Sequence, residues 1–304
     1  MGLLLDTDQC RCYDALGTEQ DCRGSGQDAE FGAGKRDPGL RFFLEGEIVR
    51  DRWTGLRWPR NANLAEFPLT WKEAQAYVES ADAAALGGIR EWRLPTRGEL
   101  FSLVSHQQVN PALPAGHPFE NVFPGYYWTG TPCARLPKEA WYIHLGGGRV
   151  QRGMKHGSYM IWPVAGPRNP ASPAEGRLRP NGELVVDGLT QRVWLNPAEL
   201  PGDPLIWSAA LQLIKDLNDR RKAGFSDWRL PNIRELASLV DSAKHSPALA
   251  AGCAFARLGE GYWSSTTSVY DPCYAWVLYP RDGAIGVGFK PQADFHLFAV
   301  RSDT

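Results

Sequence analysis

The stretch Trp92-Arg93-Leu94-Pro95-Thr96-Arg97-Gly98-Glu99-Leu100 returns 136 residues later as Trp228-Arg229-Leu230-Pro231-Asn232-Ile233-Arg234-Glu235-Leu236. A duplication at this spacing restricts the chain to two copies of one module, because solenoid repeats run to only about 20 to 50 residues. In each copy a Trp-x-Leu pair precedes a proline, and Thr96 or Asn232 stands three residues ahead of Glu99 or Glu235. That spacing predicts a capping box opening a helix. Leu100, Leu103 and Val104, and their counterparts Leu236, Leu239 and Val240, fall at helical spacing and predict one buried stripe in each helix. The tryptophan pairs Trp58/Trp194, Trp71/Trp207, Trp92/Trp228, Trp128/Trp263 and Trp141/Trp276 carry the correspondence from one end of the module to the other.

The first copy reads as short strands at 47–51 and 56–58, then a helix over 70–83 capped by Thr70 with Glu73 and stopped at Gly87-Gly88. After the organising helix comes a proline-broken loop over 106–126. A strand at 127–129 follows, then a hairpin pairing 140–145 with 149–153 across Gly146-Gly147-Gly148, and a closing strand over 158–164. The second copy keeps this order from 182–187 to 295–301. There the capping Thr70 becomes Ile206, so Asp203 before Pro204 is expected to open the helix instead. The expected fold class is α+β, each module having two helices on short twisted antiparallel sheets. The boundaries are an irregular cysteine-containing arm, 1–43, packed on the first module; modules at 44–166 and 180–304; and a Pro-rich linker, 167–179.

Lysine and arginine (33) balance aspartate and glutamate (34), so no global field draws nucleic acid, and any electrostatic recognition must be local. No apolar run approaches the roughly 18 residues of a membrane helix. Cys10, Cys12 and Cys22 crowd a polar segment too small for a core of its own, where a disulfide contributes most. This points to an oxidising compartment, and so to a secreted, periplasmic or cell-surface protein whose signal peptide has been removed. Cys133, Cys253 and Cys273 complete a set of six whose connectivity stays open.

Chemistry-bearing motifs are scarce. The spacing of Cys10 and Cys12 does not suit zinc, and the six histidines are scattered without ligand spacing. Neither a nucleophile elbow nor a phosphate loop is present, so neither metal, cofactor nor catalysis is expected. Most of the tryptophans are expected in the core. Strand alternation in 141–145 sends Trp141, Ile143 and Leu145 to one face and Tyr142 and His144 to the other. The copies differ in charge: between Cys133 and Ser158, Arg135, Lys138, Arg149, Arg152 and Lys155 face Glu139 alone, whereas over 268–293 Arg281 and Lys290 cancel Asp271 and Asp282. A solvated face explains most such clusters. The competing reading is a ligand patch formed with Tyr127, Tyr142 and His144.

The order of strand, Trp-containing helix, Trp-Arg-Leu-Pro helix, Tyr-Trp-Ser/Thr strand and Ala-Trp hairpin resembles the C-terminal domain family of the Lcl collagen-like adhesin. Both copies match over nearly their full length, and the lead-in Asp6-Thr7-x-Gln9, Cys12-Tyr13-Asp14 and Gly26-Gln27-Asp28 resembles the segment found before such domains. The resemblance implies a C-type-lectin-like fold, shared with the formylglycine-generating enzymes, and an exported bacterial protein. It also implies a Cys12–Cys22 pair; Cys253 then pairs locally with Cys273, and Cys10 with Cys133. The family's opening Asn-Gly-Asp-Gly turn is reduced to Glu45-Gly46-Glu47 and Asn181-Gly182-Glu183, which weakens a calcium reading. The expected function is non-catalytic recognition or adhesion, with a glycan, an anionic polysaccharide in particular, or a surface protein as partner. The expected site is Tyr127, Arg135, Lys138, Tyr142, His144, Arg149, Arg152 and Lys155 on the first module. The alternatives are a structural subunit of a cell-surface assembly and an enzyme on the formylglycine-generating-like fold.

Overall fold

The computed structural model describes residues 4–34, 40–168, 176–250 and 258–302. The chain divides into two compact units, Arg36–Pro170 and a second one made of Met1–Lys35 with Ala171–Thr304. Both are mixed α+β, with short helices and small antiparallel sheets.

The arm holds a minimal hairpin, β1 (Cys12–Tyr13) with β2 (Glu19–Gln20), followed by one helical turn, α1 (Asp28–Phe31). A disulfide joins Cys12 to Cys22 across that hairpin, with Cα atoms 5.2 Å apart.

In the first module β3 (Phe42–Glu45), β4 (Ile48–Asp51) and β5 (Arg57–Pro59) form an antiparallel sheet. The short strand β6 (Leu69–Thr70) leads into α2 (Trp71–Ala83), and α3 (Arg97–Ser102) follows. Then β7 (Tyr126–Pro132), β8 (Glu139–His144) and β9 (Arg149–Met154) pair successively, and β10 (Ser158–Tyr159) returns to β6. Both helices start where the capping boxes place them, on Thr70 with Glu73 and Thr96 with Glu99. The closing strand is shorter than expected: beyond Tyr159, Met160 and Val164 make only isolated bridges to Tyr127 and Arg93. β3 starts ahead of the expected boundary because Arg41 is buried there. Its guanidinium grips Asp51 at 2.8 Å and the Ser102 carbonyl at 2.8 Å, tying the first sheet to the end of α3.

The second module repeats this plan with β11 (Leu178–Asn181), β12 (Leu184–Asp187), β13 (Arg192–Leu195), α4 (Trp207–Asp219), α5 (Ile233–Ser238), β14 (Tyr262–Thr267), β15 (Tyr274–Tyr279), β16 (Ala284–Phe289) and β17 (Val300–Ser302). Here Arg177 grips Asp187 and the Ser238 carbonyl, 136 residues on from Arg41, Asp51 and Ser102. One expectation is corrected: α4 starts at Trp207, with Ile206 in the N-cap position and no side-chain cap, not at Asp203. The Trp207 amide instead donates to the Lys290 carbonyl at 3.0 Å, as the Trp71 amide does to Lys155, so a tertiary contact holds the helix start. Trp58, Trp128, Trp141, Trp194, Trp207, Trp228 and Trp263 are all fully buried.

The arm packs on the second module, not the first. The Gln9 side-chain amide pairs with Thr267, donating to its carbonyl at 2.8 Å and accepting from its amide at 2.9 Å. Asp28 is buried and accepts from the Thr7 and Thr266 hydroxyls, each at 2.7 Å, and burial pushes its carboxyl up to about 6. The Lys290 ammonium sits 4.1 Å over the Trp207 ring and donates to the carbonyls of Tyr13 (3.3 Å) and Asp14 (3.1 Å). Enclosed this way, Lys290 is pulled down by desolvation to about 7. The expected Cys10–Cys133 bridge is therefore not formed: Cys133 is a buried free thiol of the first module, and the arm is committed elsewhere. Cys253 lies outside the described residues, and with it the expected Cys253–Cys273 pair.

Candidate functional site

The β8–β9 hairpin positions most of the expected site, and its register decides which residues meet. His144 lies opposite Arg149 next to the turn, Tyr142 opposite Gln151, Trp141 opposite Arg152, and Glu139 opposite Met154 at the far end. Directly opposed residues share a face of the sheet. Tyr142, His144 and Arg149 therefore stand together, while Arg152 is on the other face with Trp141 and ion-pairs with Glu139 at 2.9 Å. Lys138 and Lys155 are joined through their backbones at the far end. At ~3.3 Å per residue that end is roughly 17 Å from His144. The expected single patch is thus two separate groups, with Arg135, Lys138 and Lys155 away from Tyr142, His144 and Arg149.

Tyr127 belongs to neither group. It is fully buried, its hydroxyl accepts from the Phe123 amide at 2.8 Å, and burial pushes its pKa up to about 12. It is a core residue because it pairs with Ile143, on the inward face of the strand. The residue that reaches the open face is its neighbour Tyr126, which pairs with His144. Alternation within β7 does not select it, because Tyr126 shares a face with the buried Trp128; only the pairing with β8 shows that the face opens at Tyr126.

Tyr126, Tyr142 and Tyr159 form a triangle of rings with centroids 4.9 to 5.5 Å apart, and His144 lies 4.8 Å from Tyr126. Trp128 closes the base, 4.5 Å from Tyr159. Tyr126 is 45% exposed, and Tyr142, Tyr159 and His144 are half-buried. Desolvation pushes Tyr142 up to about 12, with Tyr159 and Tyr126 adding to it, so its hydroxyl stays protonated. Desolvation, reinforced by Arg149, holds His144 below the ordinary histidine value, so it is neutral at pH 7. The result is an aromatic platform with hydroxyls and an imidazole on it and the exposed Arg149 at its rim. Rings of this kind stack on apolar ring faces while their polar tips hydrogen-bond.

The second module lacks the platform. Trp263 pairs with Val277 where Trp128 pairs with Tyr142, Gly261 stands for Tyr126, and Ala284 opposes Tyr279 where Arg149 opposes His144. Phe295, bridged to Leu205 as Tyr159 pairs with Leu69, lies buried edge-to-face against Trp263, with ring centroids 4.8 Å apart. A Cβ at Gly261 would meet that ring at 2.6 Å, so the glycine is what lets Phe295 fill the space. Lys155, by contrast, is not peculiar to the first module. Its ammonium lies 4.3 Å over Trp71, as Lys290 lies over Trp207.

Among the described residues no three His, Cys, Asp or Glu side chains cluster so as to hold a metal ion. No described helix is long and apolar enough to cross a membrane. No curated protein matches the chain. The model of the Lcl C-terminal domain matches residues 47–165 and again residues 183–301, the two modules in tandem. With both matches together covering most of its length, the chain belongs to the Lcl C-terminal domain family.

Proposed function

We propose that this is an exported, non-catalytic recognition protein with C-type-lectin-like modules, and that the first module holds glycans on Tyr126, Tyr142 and Tyr159. Membership of the Lcl C-terminal domain family supports a surface or adhesion-related role. The Cys12–Cys22 disulfide supports an oxidising compartment. The observation that carries the reading is the difference between the copies: three tyrosines ringed by His144 and Arg149 in one, Gly261, Val277 and Phe295 in the other. A scaffold that needed only packing has no use for three hydroxyls here, since the second module puts Gly261, Val277 and Phe295 in the places of Tyr126, Tyr142 and Tyr159 and keeps one half-buried tyrosine, Tyr279, in the place of His144. Arg149 at the rim favours sugars bearing sulfate or carboxylate, through a contact screened over about 8 Å at physiological salt.

The test is binding to a panel of neutral and sulfated oligosaccharides by wild type, Tyr126→Ala and Arg149→Glu. One ring contact is worth about 0.5–1.5 kcal/mol, so Tyr126→Ala is expected to weaken binding about 2- to 10-fold at unchanged melting temperature. Arg149→Glu is expected to lose the sulfated members selectively and to abolish the salt dependence. Wild-type binding by both variants removes the platform from consideration.

A further inference from the structure

We propose that the first module has a second binding surface, at the Lys155 end of its hairpin, that takes an acidic peptide loop of a partner protein. This goes beyond the glycan reading and uses none of its residues. It starts from what the arm does on the second module. There, three kinds of donor meet arm acceptors: the Lys290 ammonium takes the Tyr13 and Asp14 carbonyls, the Thr266 hydroxyl takes the Asp28 carboxylate, and the Cys273 thiol takes the Leu16 carbonyl. The arm fits closely, for a Cβ at Gly17 would lie 3.1 Å from the Cys273 sulfur.

The same surface exists on the first module without an occupant among the described residues. Lys155 lies over Trp71 as Lys290 lies over Trp207, and the Thr131 hydroxyl accepts from the Arg97 amide at 3.0 Å as Thr266 does from Ile233. Both donors are thus held in the geometry of their counterparts. Yet among the described residues no acceptor takes the Lys155 ammonium or the Thr131 hydroxyl proton, and both side chains are part-exposed where Lys290 and Thr266 are fully buried. A polar surface whose donors are already held in place gains most from a ligand that presents its acceptors in a preorganised loop.

Charge and shape narrow the occupant. The arm between residues 4 and 34 carries seven carboxylates against two arginines, and it docks around a single lysine. The first-module surface adds exposed Lys138, joined to Lys155 through the backbone, so it suits an acidic loop better still. Pro132 stands where Thr267 pairs with Gln9, and it has no amide to donate. The arm's own Gln9 grip is therefore denied here. The site selects for the acidic loop alone, which argues for a segment of another protein over an exchanged arm.

The probe is a synthetic peptide copying residues 12–28, closed through its two cysteines, titrated into the full-length protein by calorimetry. Saturable one-to-one binding is expected. It should weaken about tenfold or more in Lys155→Met, which keeps the stem on Trp71, and in Thr131→Val. Tyr126→Ala and Arg149→Glu are expected to bind the peptide as wild type does, so failure here and failure of the glycan reading are separable. Equal binding of a scrambled peptide of the same composition would reduce the site to a generic polyanion patch and overturn the proposal. So would an absence of binding, or binding lost in Lys290→Met and retained in Lys155→Met, which would mean exchange with the resident arm.

Discussion

Replacing Glu235 with glutamine tests how the organising stretch is held together. The Glu235 carboxylate is fully buried and receives the Arg229 guanidinium through two contacts, Arg192 Nε at 2.7 Å and the Asn232 amide at 2.9 Å. Burial works against its charge, but Arg229, Arg192 and the Asn232 amide outweigh that and hold the carboxyl below the usual glutamate range. Glutamine keeps the shape and removes the charge, leaving Arg229 and Arg192 without their counter-ion. Breaking a buried pair from one side costs about 3–5 kcal/mol. At roughly 2–4 °C per kcal/mol for a unit of this size, the melting temperature should fall by roughly 6–20 °C. A carboxylate with a depressed folded pKa contributes stability above its unfolded value, lost as pH falls through the folded one. Wild type should therefore lose stability as pH drops below about 4.5, the unperturbed value, and Glu235→Gln should show a flatter acid limb. Glu99→Gln in the first module is the internal control. It strands only Arg93, whose side chain is 14% exposed against 8% for Arg229, so it should cost less. Urea unfolding from pH 3 to 7 measures both. A Glu235→Gln cost below about 1 kcal/mol, or a larger cost for Glu99→Gln, refutes the reasoning.

Ile206→Thr should stabilise the second module by about 0.5–1 kcal/mol, because the backbone at 206 already has N-cap geometry and lacks only an oxygen; an unchanged urea midpoint would contradict this. Gly288→Ala places a Cβ 2.3 Å from the Phe295 ring and should cost about 1–3 kcal/mol, while Gly24→Ala, which meets nothing within 4 Å, measures the backbone cost of positive φ alone. Asp28 is raised by burial to about 6, so the folded protein binds the extra proton between about pH 4 and 6, and stability from this group falls as pH rises through that window. Asp28→Asn should flatten that slope and hold or improve stability at pH 7. A slope unchanged in the variant would place the titration elsewhere.

The legible parts of this chain were the local ones. Thr70 with Glu73 and Thr96 with Glu99 mark helix starts because a capping box closes within four residues, and both were found in place. The outward face of β8 was readable for the same reason: alternation is a property of neighbouring residues. What escaped depends on distance along the chain. Gln9 meets Thr267 across 258 residues, and no periodicity in the arm says which module it will meet. The Arg41–Asp51 and Arg177–Asp187 clamps stand at the same offset as the first tryptophan pairs, but a lone arginine before a strand looks like surface in sequence. A charge count makes Lys155 look peculiar to the first module although Lys290 is its twin, because net charge discards position. Tyr127 was preferred to Tyr126 because the pairing of β7 with β8, which sets the face, is a tertiary fact.

The docking of the arm sets an order of events during synthesis. Residues 4–34 leave the ribosome first, but Thr266, Thr267, Cys273 and Lys290, which complete their packing, come last. At about 5–20 residues per second, some ten to fifty seconds pass before the two ends meet. Through that interval Asp28 and Gln9 remain in water, and the Cys12–Cys22 loop, a separation of ten residues, closes once the chain reaches an oxidising compartment. The first module is complete in sequence by then, its compact unit running over Arg36–Pro170. A nascent chain stalled near residue 260 should therefore have an arm still open to protease, and the arm should become resistant only when Lys290, just beyond β16, emerges.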